Sequence, residues 1–175
     1  MLIFTNSLFT NNKDLLSQIG YILVLADLLN KVNIVHWSLV KCKRITRSVL
    51  AFELYTMAHS FNISAAIKAT VKLQLNISLP LIFCTDFKLI YKCLVKLGTT
   101  QEKKLIIDII YLHQSYKRRE IAKVKWINRD SNPVDAITKS KLLLALKRLI
   151  DTNQIKLKTI EWVKCTMLVT QLINA

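Results

Sequence analysis

At 175 residues the chain has the length of one ordinary domain, enough for a single sizeable core and too little for several catalytic modules. Its 26 Lys and Arg against 11 acidic residues give a formal charge of +15, which favours a polyanionic partner such as nucleic acid. The only glycines, Gly20 and Gly98, leave no G-x-G-x-x-G, G-x-x-x-x-G-K-S/T or G-x-S-x-G motif, which counts against nucleotide-cofactor enzymes and serine hydrolases.

The opening Met1-Leu2-Ile3-Phe4-Thr5-Asn6 has neither a basic region nor a small-residue cleavage site. No secretory signal is read, and an intracellular protein, cytoplasmic or nuclear, is expected. Leu2 to Phe9 reads as a strand. After a polar break come two more β-rich runs, Ile19 to Ala26 and Val32 to Leu39, joined through Asn30, which predicts an antiparallel meander. The apolar stretch from Gly20 to Trp37 is broken by Asp27 and Lys31, so no run approaches the roughly 20 residues that span a bilayer. Trp37 is expected in the core.

From Thr46 to about Thr70 the period changes, and Leu50, Leu54, Met57 and Phe61 form one helical stripe. Pro80 opens a short apolar run, Leu81 to Thr85, suited to a strand buried on both faces, with Asp86 at its C-terminal end. A helical segment to Leu97, capped by Gly98, is followed by a second from Gln101 to Glu120 that closes on Lys117-Arg118-Arg119. Ile121 to Ile127 alternates as a strand. Asn132 before Pro133 predicts a capped helix running to about Ile150, and Ile155 to Val163 is a candidate for a further strand. The four cysteines form no C-x-x-C pair, consistent with a reduced protein. The sum is a mixed α/β domain over residues 1–150, a five-stranded mixed sheet flanked by helices, with residues 151–175 as an unassigned C-terminal extension.

Three carboxylates stand out. Glu53 falls inside the apolar stripe of its helix, where a carboxylate needs a partner, a proton or a metal; a salt bridge to one of the many basic residues is the plain alternative. Asp86 ends a buried strand, where open α/β sheets present ligand-binding groups, although a turn or capping role accounts for it equally well. Asp135 sits in the first turn of its helix, where an acid also stabilises free N–H groups.

Gly20-Tyr21, Trp37-Ser38, the segment from Ser48 to Glu53, Cys84-Thr85-Asp86 and Asn132-Pro133-Val134-Asp135-Ala136-Ile137-Thr138-Lys139 together resemble, in order, the landmarks of the ribonuclease H domain of copia-type retrotransposons. The last resembles the family's A-D-x-x-T-K signature with Val134 in place of Ala, and the resemblance covers roughly residues 2–150. It implies a ribonuclease H-like fold and puts Glu53, Asp86 and Asp135 at the second, third and fourth positions of a four-carboxylate site that binds two magnesium ions. The implied activity is hydrolysis of the RNA strand in an RNA·DNA hybrid, in which paired hard cations stabilise attacking and leaving oxygens.

The family's first acid lies on the opening strand, and here Asn6 holds that position within Phe4-Thr5-Asn6-Ser7-Leu8-Phe9. An amide oxygen can coordinate a metal but brings no charge, so loss or severe weakening of the activity is expected. Phe52 and Phe87 stand beside Glu53 and Asp86 where small or polar residues are usual, and are expected to crowd the metal site. Met1 immediately precedes the first strand, so the sequence is expected to be a fragment of a polyprotein. Lys41, Lys43, Arg44, Arg47, Lys117, Arg118 and Arg119 are the candidate nucleic-acid contacts, read through backbone shape and 2′-hydroxyls. The alternatives are a non-catalytic nucleic-acid-binding module and a functionless transposon remnant.

Overall fold

The side chains of the first strand alternate between two destinations, and this alternation organises the molecule. Met1 and Ile3 enter one apolar cluster, while Leu2 and Phe4 enter another on the opposite face of the sheet. A computed structural model describes residues 1–8, 17–42, 48–96, 105–139 and 143–164. Strand β1 (Leu2–Leu8) pairs antiparallel with β2 (Ser17–Ala26), and β2 pairs with β3 (Val32–Cys42). The tight turn between β2 and β3 is held by Asp27, whose Oδ1 accepts from the N–H groups of Leu29 (2.8 Å) and Lys31 (2.9 Å), with Asn30 at φ 61°.

Helix α1 (Val49–Leu75) begins where the Ser48 hydroxyl accepts from the Ala51 N–H at 3.1 Å, and ends at a left-handed Asn76. Strand β4 (Ile82–Thr85) then lies parallel to β1, so the chain has crossed over through a helix. Helices α2 (Lys88–Lys96) and α3 (Ile106–Lys117) lead to β5 (Lys123–Ile127), parallel to β4. After a single 3-10 turn (Arg129–Ser131) come α4 (Pro133–Thr138), α5 (Leu144–Thr152) and β6 (Thr159–Lys164), antiparallel to β5.

The sheet order is β3-β2-β1-β4-β5-β6. One face is covered by α1, α2 and α3 through Leu54, Met57, Leu94 and Leu112, and the other by α4 and α5 through Val134 and Leu149. The sheet therefore has six strands rather than the expected five, because β6 extends it. Position 150 falls inside α5, and Ile155 and Leu157 pack in the same cluster as Leu2 and Phe4. The single helix expected from Pro133 to Ile150 is two, α4 ending at Thr138 and α5 starting at Leu144.

Trp37 corrects another expectation. It is 62% exposed, because among the described residues β3 is an edge strand whose outer residues find no helix to cover them. Among the described residues no helix is long and apolar enough to cross a membrane. Cys42, Cys84 and Cys93 are buried and form no disulfide.

Candidate nucleic-acid site

Because residues 2 and 4 of β1 face α4 and α5, Asn6 faces them too. Its Nδ2 donates to Asp135 Oδ1 and to Thr138 Oγ1, both at 2.9 Å, and the side chain is buried. Asp135 reaches this place because α4 is clamped to the sheet. The Asn132 side chain caps the helix through the Val134 N–H (3.2 Å) and donates to the Thr5 carbonyl (2.9 Å). Gly20, level with Asn6 on β2, makes the close approach possible: a Cβ there would stand 2.6 Å from Thr138 Cγ2 and 2.9 Å from Val134 Cγ1. Any other residue type would have to push the Thr138 and Val134 side chains aside.

Ser7, the next residue, faces α1 instead. Its backbone N–H donates to Glu53 Oε1 at 3.2 Å, fixing the helix to the strand end. Glu53 is buried and its Oε2 has no hydrogen-bond partner. Burial pushes its carboxyl up to about 7, opposed by the hydrogen bonds from Ser7 and reinforced by the nearby charges of Asp86 and Asp135. The salt bridge considered for Glu53 is absent among the described residues, whose ion pairs both involve Asp135.

Asp86 follows β4, and since Phe4 is level with Cys84 in the parallel pair, Asp86 stands level with Asn6. Its carboxyl is also raised, by burial first and then by Asp135, with Arg129 and a hydrogen bond from Asn132 acting the other way. The three carboxylates thus lie toward one end of the sheet, the C-terminal end of its parallel strands, near enough for Asp86 and Asp135 to act on Glu53 through their charge. Their surroundings differ. Asp135 accepts from Asn6, is paired with Arg129 at 3.4 Å, and is bonded by the ammonium group of Lys139, one helical turn along.

The sequence resemblance implies a pair of magnesium ions at this end of the sheet. The unpartnered Glu53 Oε2 suits a cation, but Asp135 Oδ1 already receives three donors, two of them cationic. Among the described residues no three His, Cys, Asp or Glu side chains are gathered as a metal-binding group. As arranged, the donor set does not fit two divalent ions. Phe52 is not the obstacle: its ring is buried with Ile19 and Cys42, and Phe87 packs on the main core.

The basic candidates separate. Lys41 is exposed and pairs with Gln18, which pairs with Leu8, so it lies on the carboxylate end of the sheet. Lys43, Arg44 and Arg47 lie outside the described residues. Lys117, Arg118 and Arg119 lie at the opposite end, beside the start of β4, where the Ala122 N–H meets the Leu81 carbonyl and Lys68 meets the Glu120 carbonyl. Along α1 from Glu53 to Lys68 that is roughly 22 Å, at about 1.5 Å per residue. Nothing in the local pattern distinguishes Arg129, whereas Lys139 carries a mark, its spacing of one helical turn from Asp135. Trp126 adds a further element beside the site, donating to the Asp86 carbonyl at 3.3 Å with Lys88 over its ring at 4.7 Å. Of the histidines, His36 bonds Tyr21, His59 stacks on Tyr55, and His113 donates to the Leu94 carbonyl.

The fold is similar to that of RNase H1 from the halophilic archaeon Halobacterium salinarum NRC-1, with a TM-score of 0.60 and 16% sequence identity, over 83% of this chain and 96% of that one. No protein-family model and no curated protein matches the chain. The chain has a ribonuclease H-like fold.

Proposed function

We propose that this ribonuclease H-like domain derives from a copia-type retrotransposon, binds nucleic acid at the carboxylate end of its sheet, and lacks the metal-dependent hydrolysis of the RNA strand that its ancestry implies. The observation that carries the reading is the Asn6 amide donating into Asp135 where the family has a carboxylate. A second carboxylate at that position would be repelled by Asp135 unless a cation lay between them, whereas the amide bonds Asp135 directly and leaves the site without that demand. Arg129 and Lys139 complete the neutralisation.

The fold and the charge of +15 support a nucleic-acid partner. An RNA·DNA hybrid is the proposed ligand, its backbone tracked by Lys41 with Lys43, Arg44 and Arg47, while Lys117, Arg118 and Arg119 contribute through the overall field. The test is hybrid binding and cleavage in magnesium by the purified chain and by Asn6→Asp. The expected result is salt-sensitive binding by both and cleavage by the reverted protein alone. Robust cleavage by the unaltered chain, abolished by Glu53→Ala, would overturn the reading. Absence of binding at low salt would favour a functionless remnant.

A further inference from the structure

Beyond the carboxylates, the 3-10 turn and the first part of α5 stand off from the segment that leads into β6, leaving a recess of about 460 Å³. Its size lies within the roughly 300–1,000 Å³ of pockets that take small-molecule-sized groups. Its cations come from two elements: Arg148 from α5, and Lys156 and Lys158 from the extended segment before β6. All three are exposed, and neither ion pair among the described residues involves them. Asp130 is the one carboxylate on the described lining.

The extended wall is fixed in place. The Ile155 N–H donates to the Asn30 carbonyl at 3.2 Å, the Lys158 N–H to Ser131 Oγ at 3.3 Å, and the Asn128 N–H to the Lys158 carbonyl at 2.9 Å. Within it Leu157 turns toward the apolar cluster under α4 and α5, so Lys156 and Lys158, on either side of it, share the other face. Leu144 and Ile155 give the recess an aliphatic wall as well.

We propose that this recess holds one unpaired nucleotide of a nucleic-acid strand, its phosphate on Arg148, Lys156 and Lys158 and its base against the aliphatic wall. Phosphates alone need only a cationic surface, and the base faces in a duplex are covered by stacking. A recess that is basic at the rim and apolar within matches a nucleotide whose base is free. The 3-10 turn that contributes Ser131 also carries Arg129, which pairs with Asp135, so a strand leaving the carboxylate end has a short path to it. The inference rests on the nucleic-acid reading above and deepens it.

The test measures fluorescence anisotropy of a labelled oligothymidylate and of a blunt RNA·DNA hybrid, across a salt series, with the full chain. One variant carries Arg148→Gln, Lys156→Gln and Lys158→Gln. A control with the same loss of charge carries Lys117→Gln, Arg118→Gln and Arg119→Gln at the opposite end. The recess variant is expected to lose about tenfold or more in oligothymidylate affinity, with its log–log salt slope reduced by about 0.7, as the loss of one neutralised phosphate on a single strand requires. The control and the blunt hybrid should change far less. A third variant, Leu144→Asn, leaves the cations in place and should weaken oligothymidylate more than an abasic strand of equal length. Equal losses in both charge variants, or equal losses on hybrid and single strand, would overturn the recess while leaving the nucleic-acid reading standing. A full chain that binds neither ligand overturns both.

Discussion

Glu53 and Asp135 lie on opposite faces of the same strand end and have been treated by the fold in opposite ways. On the α4 face, Asp135 is satisfied by an amide, a guanidinium and an ammonium group. On the α1 face, Glu53 keeps one oxygen unpartnered and its carboxyl is pushed up to about 7. The difference shows what one amide reaches and what it does not. Asn6 offsets the charge on the face it points toward, while the strand's alternation sends its side chain away from Glu53. One half is neutralised and the other keeps an unpartnered carboxylate oxygen.

The contrast is tested most strongly at Glu53. Its folded-state value lies above the unfolded value of 4.5, so the folded protein holds a proton that the unfolded chain releases. Stability is therefore fully present below about pH 4.5, declines as pH rises toward about 7 and levels off above it. Glu53→Gln should remove most of that slope and raise stability at pH 8 by on the order of 3 kcal/mol, while matching the parent near pH 4.5. Urea unfolding across this range checks it, and parallel pH profiles for the two proteins would show that the retained charge is not a burden.

Asn6→Asp should act in the reverse sense on the other face. With a chelator present it exchanges a buried bond to a carboxylate for a like-charge contact, costing about 2 kcal/mol. Added magnesium should recover the loss in calorimetry. Equal stability of parent and variant in the chelator would mean that the Asn6–Asp135 bond is not what quiets this half.

Gly20→Ala tests whether the neutral half depends on close packing. The added Cβ meets the stiff, branched side chains of Thr138 and Val134, and a loss of about 1 to 2 kcal/mol is expected in thermal unfolding. Lys139→Ala should have the smallest effect, below about 1 kcal/mol, because its side chain is partly solvated and Asn6 and Arg129 remain on Asp135.

The parts of the site that local pattern determines were open to sequence reading. The position of Glu53 within the Leu50, Leu54 and Met57 stripe placed it inward, and Asn132-Pro133 fixed the start of α4 and the level of Asp135. What the sequence withheld depends on contacts between distant segments. Asn6 meets Asp135 across 129 positions of chain, whereas Arg129, only six residues from Asp135, reaches it through the local path of the 3-10 turn. The sixth strand, the break between α4 and α5, and the exposure of Trp37 are likewise properties of neighbours in the sheet, and a run of alternating residues does not reveal whether it lies at an edge.

That exposed edge has a practical consequence. β3 offers unpaired backbone beside Ile34, Val35, Trp37 and Leu39, a template on which another strand can add, and mutual repulsion between copies carrying +15 holds them apart. The range of that repulsion shrinks from about 10 Å at 0.1 M salt to about 3 Å at 1 M. Washing bound polynucleotide from the protein with concentrated salt removes its colloidal protection in the same step, so the cleaned protein should be returned quickly to dilute buffer.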